Sequence, residues 1–110
     1  MNKGDIVTSK DFEAVVKAQF EYCYNLLFEK AKQYNIGTED RLHAFKVASA
    51  FEGVSTKQAL FGMLTKHLVS LSDMIGKDSN QPLDVWNEKI SDSINYLLLL
   101  KAIVEEEDKS

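Results

Sequence analysis

Apolar residues recur along this chain at three- and four-residue spacing, in four stretches separated by short polar punctuation. In the first, Phe12, Val15, Val16, Phe20, Cys23, Leu27 and Ala31 share one helical face, with Thr8 or Ser9 as cap and Tyr34 near the end. Gly37 follows, free to take the left-handed conformation that stops a helix. Thr38 is expected to cap a second, shorter helix over roughly 39–52, with Leu42, Phe45, Ala48 and Phe51 on its apolar face and Gly53 behind it. Ser55 and Gln58 form a capping-box pair before a third helix that carries Leu60, Met63, Leu64, His67, Leu68, Leu71 and Ile75 on one face and closes at Gly76. Past the polar loop 76–81 and Pro82, a fourth helix covers about 83–107, with Trp86, Ile90, Ile94, Leu97 and Val104 on a stripe. No strand signal competes. The pattern predicts an all-α, four-helix bundle-like subunit, one domain over 1–110, with 1–7 and the acidic tail 108–110 as flexible ends.

The lengths carry a further expectation. At about 1.5 Å per residue the first and last helices each span on the order of 35 to 40 Å, more than a compact chain of this size uses. Between Tyr96 and Val104, "YLLLLKAIV" points apolar side chains in nearly every direction around the axis. One face packs within the subunit and another needs a partner, so a homo-oligomer, a dimer or higher, is expected.

Composition supports helices: five glycines and one proline are few for a strand-and-turn fold. The net charge of −4 arises from Glu105, Glu106, Glu107 and Asp108, which leave a body balanced between 13 basic and 13 acidic residues. A neutral body is a poor match for duplex nucleic acid, which demands a basic face, whereas a small phosphorylated ligand needs only two or three cations. The lone cysteine, Cys23, has no intrachain partner and reads as a buried reduced thiol. With no signal-peptide pattern at the start and no apolar run of about 18 residues, the expected compartment is a cytoplasm and no membrane contact is expected.

Candidate chemistry lies on three stripes. Glu88 and Asp92 are four apart and project from one face of the fourth helix, continued by Asn95 and Leu99. Two such carboxylates can share Mg²⁺, which takes oxygen ligands and keeps several waters; a solvated acidic face is the plainer alternative. On the third helix Lys66, Ser70 and Asp73 form a second polar line, able to offer a cation and a hydroxyl to phosphate and an acid to metal. His67 falls instead among the apolar residues of that helix, as a core histidine with one nitrogen satisfied. Arg41, His43 and Lys46 sit near the start of the second helix, where backbone N–H groups favour anions, although ion pairing with Glu39 or Glu52 accounts for them equally well. No serine elbow, Cys–His pair, phosphate-binding loop, dinucleotide fingerprint or zinc set is present in the sequence.

The run "RLHAFKVASAFEGVSTKQALFGMLTKHLVSLSDM" followed by "WNEKISDSINYLLLL" resembles small proteins of bacteriophages and prophages of low-GC bacteria, over about 38–107. In the order of its elements it is also similar to the all-α, MazG-like nucleoside triphosphate pyrophosphohydrolases, whose last core helix carries Glu and Asp before a "YLLLLA"-type run. That likeness implies a helical, Mg²⁺-dependent nucleotide pocket between subunits, in a bacterial host cytoplasm. Glu88 and Asp92 match the late acidic pair, at a spacing of four where the family has three. The adjacent glutamates of its earlier helix are absent, with Glu29, Glu39, Asp40 and Asp73 as substitutes at best.

Three readings follow. In the first, an oligomer sequesters a nucleotide or nucleotide-derived immune signal, with Arg41, Lys46 and Lys66 on phosphate, Tyr96 or Trp86 stacked on the ring, and Glu88, Asp92 and Asp73 as the metal or polar set. In the second, a pyrophosphohydrolase uses Mg²⁺ on Glu88, Asp92 and a further acid to activate water. In the third, a non-enzymatic protein blocks a host factor through its apolar helices or its acidic tail.

Overall fold

Reciprocal side-chain caps start two of the helices where the sequence places them. The Thr8 N–H donates to Asp11 Oδ2 and the Asp11 N–H to Thr8 Oγ1, both at 3.1 Å. Ser55 and Gln58 do the same, the Ser55 N–H reaching Gln58 Oε1 at 2.9 Å and the Gln58 N–H reaching Ser55 Oγ at 3.1 Å. The computed structural model describes residues 6–34, 39–77 and 80–110. It contains four α-helices: α1 (Ser9–Tyr34), α2 (His43–Glu52), α3 (Thr56–Gly76) and α4 (Leu83–Asp108). Among the described residues there is no strand. Gly53 ends α2 at φ 69°, the left-handed cap that a side chain would strain. Gly37, Thr38 and residues 1–5 lie outside the described residues.

Two expectations need correction. Helix α2 begins at His43 and not at about 39, because Asp40 diverts the chain. Its Oδ1 accepts the Leu42 N–H at 2.9 Å and its carbonyl accepts the His43 N–H at 3.1 Å, a local turn that competes with the helical path. The second correction concerns α4. The expected stripe through Ile90, Leu97 and Val104 is exposed, and the buried positions are Ser91, Ser93, Asn95 and Ile103. A helix apolar on several sides does not announce which side its neighbour selects.

That selection is made by α3. Leu60, fully buried, and Ile103, 1% exposed, join Leu42 and Phe45 in the core, with Met63, Tyr96, Leu99 and Leu100 packed around them. The connection through Pro82 is short, and His67 meets Asp92 while Lys57 meets Glu107, so α3 and α4 run antiparallel. Helix α1 runs parallel to α4 instead: Gln19 Nε2 donates to Ser91 Oγ at 2.7 Å and, further on, Leu27 and Phe28 face Leu98 and Ala102 across a cleft. Cys23, 2% exposed, completes that contact, accepting from Gln19 Nε2 at 3.1 Å and donating to the Ser91 carbonyl at 3.9 Å. The buried thiol expected from the sequence is found, though Phe12, Val15 and Phe20 on the same expected face stay exposed.

In an antiparallel pair, residues offset in the same rotational sense from the seam lie on the same side of the pair. Ala59 on α3 and Ser91 and Asn95 on α4 are offset one way and are buried, beneath α2 and α1. Phe61, Leu68 and Ile75 on α3 and Ile90, Leu97 and Val104 on α4 are offset the other way and are exposed. The molecule is thus a helical pair covered on one face only. Its radius of gyration, 16.7 Å, exceeds the roughly 13 Å of a compact chain of this length, and its extents are 51 × 28 × 27 Å.

Truncation separates the two kinds of apolar residue. Leu60→Ala, at the closed seam, is expected to cost about 3 kcal/mol of unfolding free energy, whereas Phe51→Ala, 87% exposed on α2, changes it by less than about 0.5 kcal/mol. Urea unfolding of the two variants checks this; similar losses would place the core elsewhere.

Candidate functional site

Small residues let α4 approach its neighbours closely midway along its length. Ser91 is fully buried against α1, Ser93 on the opposite side of the helix is 8% exposed, and between them Asp92 turns toward α3. There His67 Nδ1 lies 3.8 Å from Asp92 Oδ2, too far for a hydrogen bond, and the His67 ring sits 5.1 Å from the Tyr96 ring at 35°. Phe45 of α2 meets Tyr96 edge-on at 6.3 Å and 74°. Burial, and secondarily the Asp92 carboxylate, raise the Tyr96 hydroxyl above its ordinary pKa, so it is a neutral donor at physiological pH.

Two polar atoms in this region are buried without a hydrogen-bond partner: His67 Nδ1 and Asn95 Oδ1. Each such atom costs about 1–3 kcal/mol relative to a satisfied one, so each is a place where a ligand or water adds a bond rather than competing with one. Of the two His67 nitrogens, Nδ1, which faces Asp92, is the unsatisfied one. Sequence reasoning placed it in the core because its neighbours at helical spacing are apolar. The flanking serines of "SDS", small residues in a greasy helix, were the signal that a polar side chain on α3 could come close.

The expected site residues divide into two groups. Lys66, Ser70 and Asp73 run along the flank of α3, with Lys66 and Asp73 exposed and the Ser70 hydroxyl donating to the Lys66 carbonyl at 3.1 Å. Glu88, Asp92 and Asn95 run along α4 with the same rotational offset, so helix geometry puts the two lines on the same side of the pair. Glu88 at its edge is exposed. Arg41, His43 and Lys46 are elsewhere. Lys46 pairs with Glu106, and from Asp92 to Glu106 is about 20 Å along α4.

At that distant end the cations already have partners. Arg41 donates to the Leu27 carbonyl at 2.8 Å and stacks 5.4 Å over the Phe28 ring. Lys46 Nζ binds Asp40 at 2.6 Å and Glu106 at 3.0 Å, while Lys57 binds Glu107 at 3.2 Å. His43 is exposed at the first turn of α2. A cleft of about 510 Å³ opens beside them, with Leu27, Phe28, Leu98 and Ala102 in its wall. Glu39, Asp40, Glu105 and Glu106 outnumber Arg41 and Lys109 around it, a balance that disfavours a phosphate.

Among the described residues, no three His, Cys, Asp or Glu side chains gather as a metal site. No helix among the described residues is long and apolar enough to cross a membrane. Compared with family models, curated proteins and solved structures, the chain matches none of them.

The Lys46 bridge gives a pH dependence with a definite sign. Its hydrogen bond to Asp40 holds that carboxyl below its ordinary 3.8 and lifts the ammonium above its ordinary 10.5. The Asp40 contribution is present above about pH 4 and fades as pH falls through the depressed value; the Lys46 contribution fades only above about pH 10. Between about pH 5 and about pH 2, wild-type urea midpoints should fall more steeply than those of Lys46→Met. Parallel curves would show that the bridge adds nothing, the usual fate of exposed pairs.

Proposed function

We propose that this chain binds a nucleotide-class small molecule in the groove between α3 and α4 and holds it without turnover. The observation that carries the reading is the pair of unpartnered buried atoms, His67 Nδ1 and Asn95 Oδ1, beside Asp92 and Tyr96. Nucleobases and riboses carry donors and acceptors side by side, which suits a pocket offering an imidazole nitrogen, an amide oxygen, a carboxylate and a phenol. The His67 and Tyr96 rings supply aromatic surface for a base. Lys66 and the N–H-poor flank of α3 leave one cation for phosphate, and Glu88 with Asp92 can share Mg²⁺ carried on that phosphate. Arg41 and Lys46, already paired at the distant end, take no part in this reading.

Sequestration is favoured over hydrolysis because, among the described residues, acids do not gather in the number that metal-assisted attack demands. The likeness to phage proteins gives such a protein a use: withdrawing a nucleotide signal of host immunity from the cytoplasm. That the chain forms an oligomer is a separate proposal, carried by its exposed apolar residues and not by the groove.

The test is incubation with nucleoside triphosphates, cyclic nucleotides and ADP-ribose-type nucleotides, with and without Mg²⁺, followed by chromatography before and after heat denaturation. One class should disappear from solution and return intact, and Asp92→Asn and Tyr96→Leu should weaken its binding at least tenfold. Release of monophosphate and pyrophosphate that stops in Glu88→Gln would replace sequestration by catalysis. If every nucleotide stays free, the ligand reading is lost and a protein partner takes its place.

A further inference from the structure

On the face of the α3/α4 pair opposite the groove, exposed apolar residues repeat every seventh position on both helices. Phe61, Leu68 and Ile75 mark α3; Leu83, Ile90, Leu97 and Val104 mark α4. Their exposures run from 38% at Ile90 to 74% at Leu83. Because the helices are antiparallel and both rows are offset in the same sense from the seam, the rows lie side by side on one surface. A seven-residue repeat keeps a stripe straight along a helix that crosses its neighbour at about 20°, the packing of left-handed bundles.

We infer that this surface is the seat of a second copy of the same chain, forming a two-fold dimer in which two α3/α4 pairs stack into a four-helix bundle. Area supports that occupant. The seven side chains leave on the order of 600 Å² of apolar surface in water, at or above the largest patch of an ordinary monomer. Two such surfaces bury about 1,200 Å², the lower end of the range for stable specific interfaces. Charge supports it as well. The rows themselves contain no acid or base, and the lysines beside them, Lys57 and Lys101, already pair with Glu107 and Glu105, so the face meets itself with little like-charge repulsion.

This inference is independent of the nucleotide reading, since the face and the groove lie on opposite sides of the pair and no ligand is needed in the test. Sedimentation equilibrium of the ligand-free protein at about 50 µM should give twice the 12.5 kDa chain mass. Leu97→Glu, in the middle of the face, should sediment as a monomer with undiminished helical circular dichroism, its dissociation constant raised at least 100-fold by a charge buried without a partner. Phe51→Glu, on α2 away from the face, should remain a dimer. Should Leu97→Glu lose helicity, Leu68→Lys on α3 makes the same test. A monomeric wild type, a dimeric Leu97→Glu and Leu68→Lys, or a monomeric Phe51→Glu would each overturn the assignment.

Discussion

The antiparallel seam of α3 on α4 decides what every other side chain in this molecule does. Leu60 against Ile103 closes one half of it with hydrocarbon; His67 against Asp92 and Tyr96 closes the other with groups that want partners. Once that seam is set, rotation about each helix assigns the remaining residues. One sense of offset gives Ala59, Ser91 and Asn95, which α2 and α1 cover, and the opposite sense gives the uncovered heptad rows. Helix α1 depends on the seam most directly, because its described attachment is to α4 through Gln19, Cys23 and Ser91 and to Arg41 through Leu27 and Phe28. A polar contact of this kind orients a helix without burying much of it, which explains why Phe12, Phe20 and Tyr24 remain in water.

The acidic end of the chain is a structural latch in the described structure. Glu105, Glu106 and Glu107 stand in the last turns of α4, where the helix dipole already places negative charge, so they raise the cost of that terminus. Lys46 and Lys57 reach them from α2 and α3, and Lys101 lies 3.9 Å from Glu105 one turn earlier. The same pairs bind the ends of three helices together beside the core. They also explain why the cations of α2 do not serve the groove: Lys46 satisfies two carboxylates where it stands, and Arg41 satisfies a carbonyl and a ring.

Much of the fold was legible because helix boundaries are written locally. The Thr8 and Ser55 caps, Gly53 and Pro82 mark ends through hydrogen bonds and backbone angles that do not depend on tertiary context. Asp40 is the exception that follows the same rule, since its side chain makes a turn that a residue count alone reads as helix. The side of α4 that faces inward was not legible. "YLLLLKAIV" offers apolar residues in most directions, and the choice of Tyr96, Leu99 and Ile103 over Leu97 and Val104 belongs to α3. The site was half legible for the same reason. Glu88, Asp92 and Asn95 form a line that periodicity predicts, but the position of His67 opposite them requires the register of an antiparallel pair, which no spacing within one helix contains.

The unequal lengths of the helices explain why the unsatisfied atoms lie where they do. Helix α2 has ten residues and spans about 15 Å, while α4 has 26 and spans about 39 Å. Phe45 reaches Tyr96, and farther along the pair, toward Asp92 and Glu88, the flank of α3 carries exposed Lys66 and Asp73. A longer α2 with another apolar turn could have sealed that half with hydrocarbon, as the Leu60 half is sealed. Instead the chain keeps an imidazole, an amide, a carboxylate and a phenol at the edge of its own core, at a cost of about 1–3 kcal/mol for each polar atom left without a partner.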